Sequence, residues 1–207
     1  MKTKTRVFAI TLLILMSGLV KAAPITILSQ QSFWDYNVTS NNINHTIFPT
    51  YDFSDFTANY TGALNGQAGF GNTTAPAGGA TNTTWAAGTD LALQTTATLA
   101  GNVIGDVTLN LATDNGAIVF INGVEVFSEI AEGFTNIWEY TATISGGLFN
   151  VGANTISVLA EDHGGLTFFD MQLVAQGGIS PVPEPGIIVL FSLGLFGLAL
   201  VRRSQMG

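Results

Sequence analysis

Between Lys21 and Arg202 the chain contains no lysine or arginine, and that absence limits what the intervening residues can do. All six lysines and arginines of the 207 residues sit near the two ends: Lys2, Lys4, Arg6 and Lys21 at one, Arg202 and Arg203 at the other. Of the 14 acids, all but Glu184 fall between Asp35 and Asp170, where there is no lysine or arginine to pair with them. Such a stretch forms no Lys or Arg salt bridge. It cannot grip a phosphate backbone, which basic side chains must neutralise, so nucleic acid is excluded as a partner. Anionic lipid surfaces repel it for the same reason. The natural counter-charge is a metal cation, with calcium the usual partner of carboxylates and carbonyls. Solvated acids that keep the protein soluble are the plainer reading. Cysteine is absent, which removes disulfides, thiolate zinc sites and thiol nucleophiles.

The ends account for the missing charge. Lys2, Lys4 and Arg6 precede an uncharged run from Val7 to Val20, and small residues follow at Ala22 and Ala23. Basic, apolar and small segments in that order make a secretory signal peptide, with cleavage after Ala22. At the far end an apolar run, Ile187 to Val201, stops at Arg202-Arg203. At a rise of about 1.5 Å per residue it covers roughly 22 Å, short for a hydrocarbon core of ~30 Å. It is nevertheless apolar on every face apart from Ser192 and small glycines. Arginines beside a span tend to stay cytoplasmic, so both ends place the middle on the other side of the membrane. The chain thus divides into a signal peptide (1–22), an exported domain (23–178), a Pro-rich linker (179–186), a transmembrane helix (187–201) and a basic cytoplasmic tail (202–207).

Val182-Pro183-Glu184-Pro185, an apolar span and a terminal basic pair resemble the PEP-CTERM sorting signal of exported proteins of Gram-negative bacteria. The resemblance implies a partner, a membrane protease of the exosortase class that recognises and processes the tail. It also implies transient membrane anchoring, a final place at the cell surface or in the extracellular matrix, and an association with exopolysaccharide. Two arginines make a modest version of the family's basic cluster.

Within the exported domain β-forming residues dominate and Gly, Asn and Asp interrupt them at short intervals. Strands are predicted over Ile25–Ser29, Trp34–Thr39, Leu91–Leu99, Val107–Leu111, Ala117–Ile121, Val124–Phe127, Trp138–Ile144, Thr155–Ala160 and Leu166–Ala175. Asn122-Gly123 between two β runs predicts a type I′ hairpin. Residues 40–60 show no clean period, and 62–84, rich in Gly, Asn, Thr and Pro, read as a long loop. This pattern predicts an all-β fold, a single jelly-roll or β-sandwich domain. Ala112 to Gly123, followed by Leu148-Phe149-Asn150-Val151-Gly152-Ala153-Asn154 opening the next strand, resembles the galactose-binding-domain-like β-sandwich. Members of that superfamily bind glycans or other ligands, or support a neighbouring enzyme, so the resemblance leaves function open.

Two polar constellations stand out. Glu161-Asp162-His163 precedes Gly164-Gly165 at the end of a predicted strand, and Asp114-Asn115-Gly116 is a turn sequence whose side chains cap their own backbone. Either could contribute to a ligand or calcium loop, or simply be a solvated turn. As a glycosidase pair, Glu161 and Asp162 are poorly placed, because neighbours on a strand point to opposite faces. No Gly-x-Ser-x-Gly nucleophile elbow accompanies His163. Trp34, Trp85 and Trp138 offer faces for sugar stacking, or fill the core. The leading expectation is a non-enzymatic, polysaccharide-associated surface protein. A secreted carbohydrate-active enzyme and a structural matrix component without a specific ligand are the alternatives.

Overall fold

Alternating apolar side chains need two surfaces to close against each other, and the chain supplies them as two sheets. The computed structural model describes residues 23–39, 48–72, 75–130 and 136–181. The expected signal peptide (1–22), residues 40–47, 73–74 and 131–135, and everything beyond Pro181 lie outside them, including the Val182–Pro185 motif, the apolar run, Arg202 and Arg203. The strands are β1 (Ile25–Leu28), β2 (Phe33–Val38), β3 (Leu64–Gln67), β4 (Phe70–Gly71), β5 (Thr83–Thr84), β6 (Leu91–Leu99) and β7 (Gly101–Val103). They continue with β8 (Asp106–Asp114), β9 (Gly116–Ile121), β10 (Val124–Glu129), β11 (Tyr140–Ser145), β12 (Gly152–Glu161), β13 (Phe168–Ala175) and β14 (Ile179–Pro181). Among the described residues one α-helix, α1, spans Phe53–Asn59.

The first sheet runs β11-β8-β13-β4-β5, with β1 also paired to β13, and the second runs β10-β9-β12-β6-β2-β3. β7 and β14 make a separate two-stranded ribbon. Consecutive strands β8 and β9, β11 and β12, and β12 and β13 lie in opposite sheets, so the chain repeatedly crosses from layer to layer as in a jelly roll. Val107, Leu109 and Leu111 of β8 meet Ile156, Val158 and Ala160 of β12 in the core between them. The alternation read from the sequence places these side chains on the inner faces. The expected all-β sandwich is therefore present.

The second sheet is buried on both faces over part of its width. Ile118 and Phe120 of β9 and Leu159 of β12 point outward, beneath Phe48 and Phe56, with Phe53 and Tyr60 packed alongside. That explains the unbroken run Ala117 to Ile121, where all five residues are buried. Residues 40–60 gave no helix in the sequence reading, yet α1 forms within them. Asp52 caps it, accepting from the Ser54 and Asp55 amides, while the Asp55 carboxylate accepts from the Asp52 amide. Phe53, Phe56 and Tyr60 recur at helical spacing and stack at 5.6 and 5.0 Å between ring centres. Seven residues is too short a window for that periodicity to stand out.

Two further departures concern loops. Residues 62–84, read as structureless, contain β3, β4 and β5. Their pairing needs backbone more than side chains, so a Gly- and Asn-rich sequence conceals it. At Gly69, φ is +86°, and an added Cβ would collide with the Ala80 carbonyl, so only glycine lets the chain fold back here. Trp138 lies in a turn with φ of 61°, and the strand predicted from it begins at Tyr140. The Asn122-Gly123 turn is as expected, both residues having positive φ (51° and 82°). Ile179–Pro181, read as the start of the linker, pairs with Gly101–Val103.

Asn154 ties the turn region together. It is fully buried. Its Oδ1 accepts from the Asn150 amide (2.7 Å) and Asn122 Nδ2 (2.9 Å), and its Nδ2 donates to the carbonyls of Asn150 (2.8 Å) and Gly152 (3.1 Å). All of its hydrogen-bonding capacity is used. Asn154→Ala orphans these groups and is expected to cost about 2 kcal/mol. A lowered urea midpoint with an unchanged m-value would verify this; an unchanged midpoint would refute it.

Candidate functional site

The β8–β9 corner and the end of β12 come together because the strands themselves are paired, Glu161 standing opposite Gly116. Asn115 donates its amide to the Glu161 carbonyl (2.9 Å), and its Oδ1 accepts from the His163 amide (2.8 Å). The five residues singled out in the sequence, Asp114, Asn115, Glu161, Asp162 and His163, therefore share one end of the sandwich. The Asp114–Asn115 peptide is cis.

Burial overturns the solvated-turn reading for four of them. Glu161 is 0% exposed, Asn115 3%, and Asp114 and Asp162 5% each. Only His163 reaches water, its side chain 28% exposed with Nε2 at 3.3 Å from Glu161 Oε2. Glu161 packs against Gly116, where any side chain would run into its carboxylate. Asp162 turns the other way, to the loop before β6. Its Oδ2 accepts from the Gly88 and Gly164 amides, the latter at 2.9 Å, and its own amide donates to Asp90 Oδ1 at 3.0 Å. The other oxygen, Oδ1, is buried without a hydrogen-bond partner. The opposed directions of Glu161 and Asp162 are those expected from strand geometry.

Gly88 and Asp90 were not recognised as part of this site. They lie more than 70 positions before Asp162, and no local pattern links them. The loop carrying them is anchored by Trp85, whose Nε1 donates to the Thr89 carbonyl (2.7 Å) and whose own carbonyl accepts from Thr167 Oγ1 (2.7 Å). Trp34 and Trp85, each 1% exposed, are core residues and present no face to a sugar. Trp138 is half-buried in its turn.

Acidic side chains concentrate at this end. Tyr140, which opens β11 here, has its hydroxyl pushed up to about 12 by burial first, then by the negative charges of Glu139, Glu129 and Asp114. Among the described residues no three His, Asp or Glu side chains lie together as ligands for a metal ion. A calcium ion here would need carbonyl oxygens and water to complete its shell.

Fold and termini define the class, a β-sandwich followed by a sorting tail. Residues 181–203 match the PEP-CTERM protein-sorting motif, the signal of exported Gram-negative proteins that are transiently anchored and presented to an exosortase. No curated protein matches the chain. Among solved structures it is similar to the PA14 domain of the MpAFP antifreeze protein, at 18% identity and a TM-score of 0.42, covering 79% of this chain and 90% of that one. A family 35 carbohydrate binding module from Clostridium thermocellum is 12% identical with a TM-score of 0.33, over 74% of this chain and 98% of the module. A β-glucuronidase from an uncultured Clostridium sp. is 10% identical with a TM-score of 0.47, over 76% of this chain but 30% of the glucuronidase. The chain thus spans less than a third of that glucuronidase. The sandwich assignment rests on strand pairing and not on these likenesses.

Proposed function

We propose that this is a non-enzymatic surface or extracellular-matrix protein that associates with polysaccharide once an exosortase-class protease has removed its tail. The observation that carries this reading is the sorting motif beginning where the folded sandwich ends, at Pro181. A binding role is supported by the end cluster, where buried, mutually bonded polar groups form a fixed rim instead of a mobile turn. A non-enzymatic role is supported by the carboxylates themselves. Glu161 is wholly buried and Asp162 holds two backbone amides, so neither is free to protonate or attack a glycosidic bond.

The test uses protein recovered from the surface of producing cells. Intact mass should show a chain ending before the apolar run, and that material should co-sediment with the cells' own insoluble exopolysaccharide. Recovery of protein ending at Gly207 would leave a plain membrane anchor. Failure to co-sediment, with calcium or without, would reduce the protein to a structural matrix component, and shortening of the polysaccharide would make it an enzyme.

A further inference from the structure

We infer that the end of the sandwich opposite the polar cluster is a lipid-facing surface, which rests on a bilayer while the tail is embedded and holds the cluster outward. The inference rests on reading 187–201 as a membrane segment. Pro181 is fastened to the domain by pairing with Gly101, and the apolar run starts at Ile187. Residues 182–186 are all that lie between, and the six steps from Pro181 to Ile187, fully extended, reach at most about 21 Å. This end of the domain is therefore the part held nearest the headgroups.

The end it presents is suited to that position. Ile25, Ile104, Val124 and Val151 are 37–49% exposed, each beside a strand end on this side of the sandwich. Ile25 and Ile179 line a shallow groove with Ala100 and Gly101, and the Ile104 amide donates to the Gly178 carbonyl at 3.0 Å. The carboxylates nearby are Asp106 and Glu125, with Asp52 and Asp55 at the start of α1, where Phe53 packs beside Gly123. Asp90, Asp114, Glu129, Glu139, Glu161 and Asp162 belong to the other end, about 30 Å away along the nine residues of β6. With no Lys or Arg in the domain, electrostatic attraction to anionic lipid is unavailable. Apolar contact with a zwitterionic surface is the chemistry this end fits.

The lack of cysteine allows single reporters. Full-length protein carrying Ile104→Cys, Val151→Cys or Leu166→Cys, labelled with a polarity-sensitive dye, is reconstituted in phosphatidylcholine vesicles containing a headgroup nitroxide. Emission at positions 104 and 151 should shift to the blue and fall by roughly half, as for groups held at an interface. Position 166, at the polar end, should be unaffected. Equal quenching at all three positions, or none at 104 and 151 in protein that floats with the vesicles, would overturn the inference alone. Protein that does not float would remove the membrane reading of the tail and this inference with it.

Discussion

Trp85→Ala is expected to lower stability by about 3–5 kcal/mol, the usual cost of emptying a buried indole site, and to lose the polar cluster with it. The side chain is 1% exposed in the central core. At roughly 2–4 °C per kcal/mol for a domain of this size, the melting temperature should fall by roughly 6–20 °C. The loss should not remain local. Trp85 Nε1 holds the Thr89 carbonyl, and between them Gly88 supplies an amide to Asp162. Releasing that loop frees both Gly88 and Asp90 from Asp162, leaving a buried carboxylate short of donors. Trp85→Phe keeps most of the volume and loses the indole hydrogen bond, so it should cost less. Trp138→Ala, in a half-buried turn, should cost least. Thermal unfolding followed by circular dichroism tests the order, and equal melting temperatures for the two alanine variants would refute it.

Asp170 should make the domain less stable as pH rises from about 4 to 7. Its side chain projects from the outer face of the first sheet and is 0% exposed. Oδ1 accepts from the Gln31 (3.1 Å) and Met171 (2.8 Å) amides, while Oδ2 is buried without a hydrogen-bond partner. Burial pushes its carboxyl up to about 6 from 3.8, against the weaker opposing pull of those amides. Gln30 adds the weakest pull, its amide being committed to the Gly78 carbonyl at 3.1 Å. Because the folded protein keeps this proton more readily than the unfolded chain, the group's contribution is greatest below pH 3.8. It is lost as pH climbs through about 6. At 1.36 kcal/mol per pH unit, that interval amounts to roughly 3 kcal/mol. Other carboxylates bend the curve too, so the informative quantity is the difference between wild type and Asp170→Asn, which cannot ionise. Urea unfolding at pH 4, 5.5 and 7 should show the variant gaining on wild type as pH rises. Parallel profiles would exclude a raised Asp170.

The strands that carry β-branched and aromatic side chains were legible because alternation is a property of each strand alone. β8, β9, β12 and their Asn-Gly hairpin needed nothing from elsewhere in the chain. β3, β4 and β5 were not legible, because a few Gly, Asn and Thr residues pair only when a neighbouring edge is already in place. The site divides in the same way. Asp114-Asn115 and Glu161-Asp162-His163 announced themselves as polar turns, and their meeting follows from β9 lying beside β12. Their burial did not, since it depends on Trp85 and the loop through Gly88 and Asp90, distant in sequence. The aromatic spacing of α1 and the carboxylates of its capping box were visible but brief, and became decisive only over Phe120 and Leu159.

The pairing of β1 with β13 sets an order of events in time. Ile25 bonds across to Ala175, so the strand that leaves the export machinery first must wait, unpaired, for one of the last. Contacts of such long sequence separation make folding slow, because loop closure must be paid before the pairing rewards it. No disulfide can trap an intermediate meanwhile. β13 ends shortly before the apolar run begins, so under the proposed tail anchoring this first sheet is completed only as the tail reaches the membrane. Arrest of the chain and closure of its fold are therefore nearly simultaneous, which gives the unfinished sandwich a fixed place in which to mature.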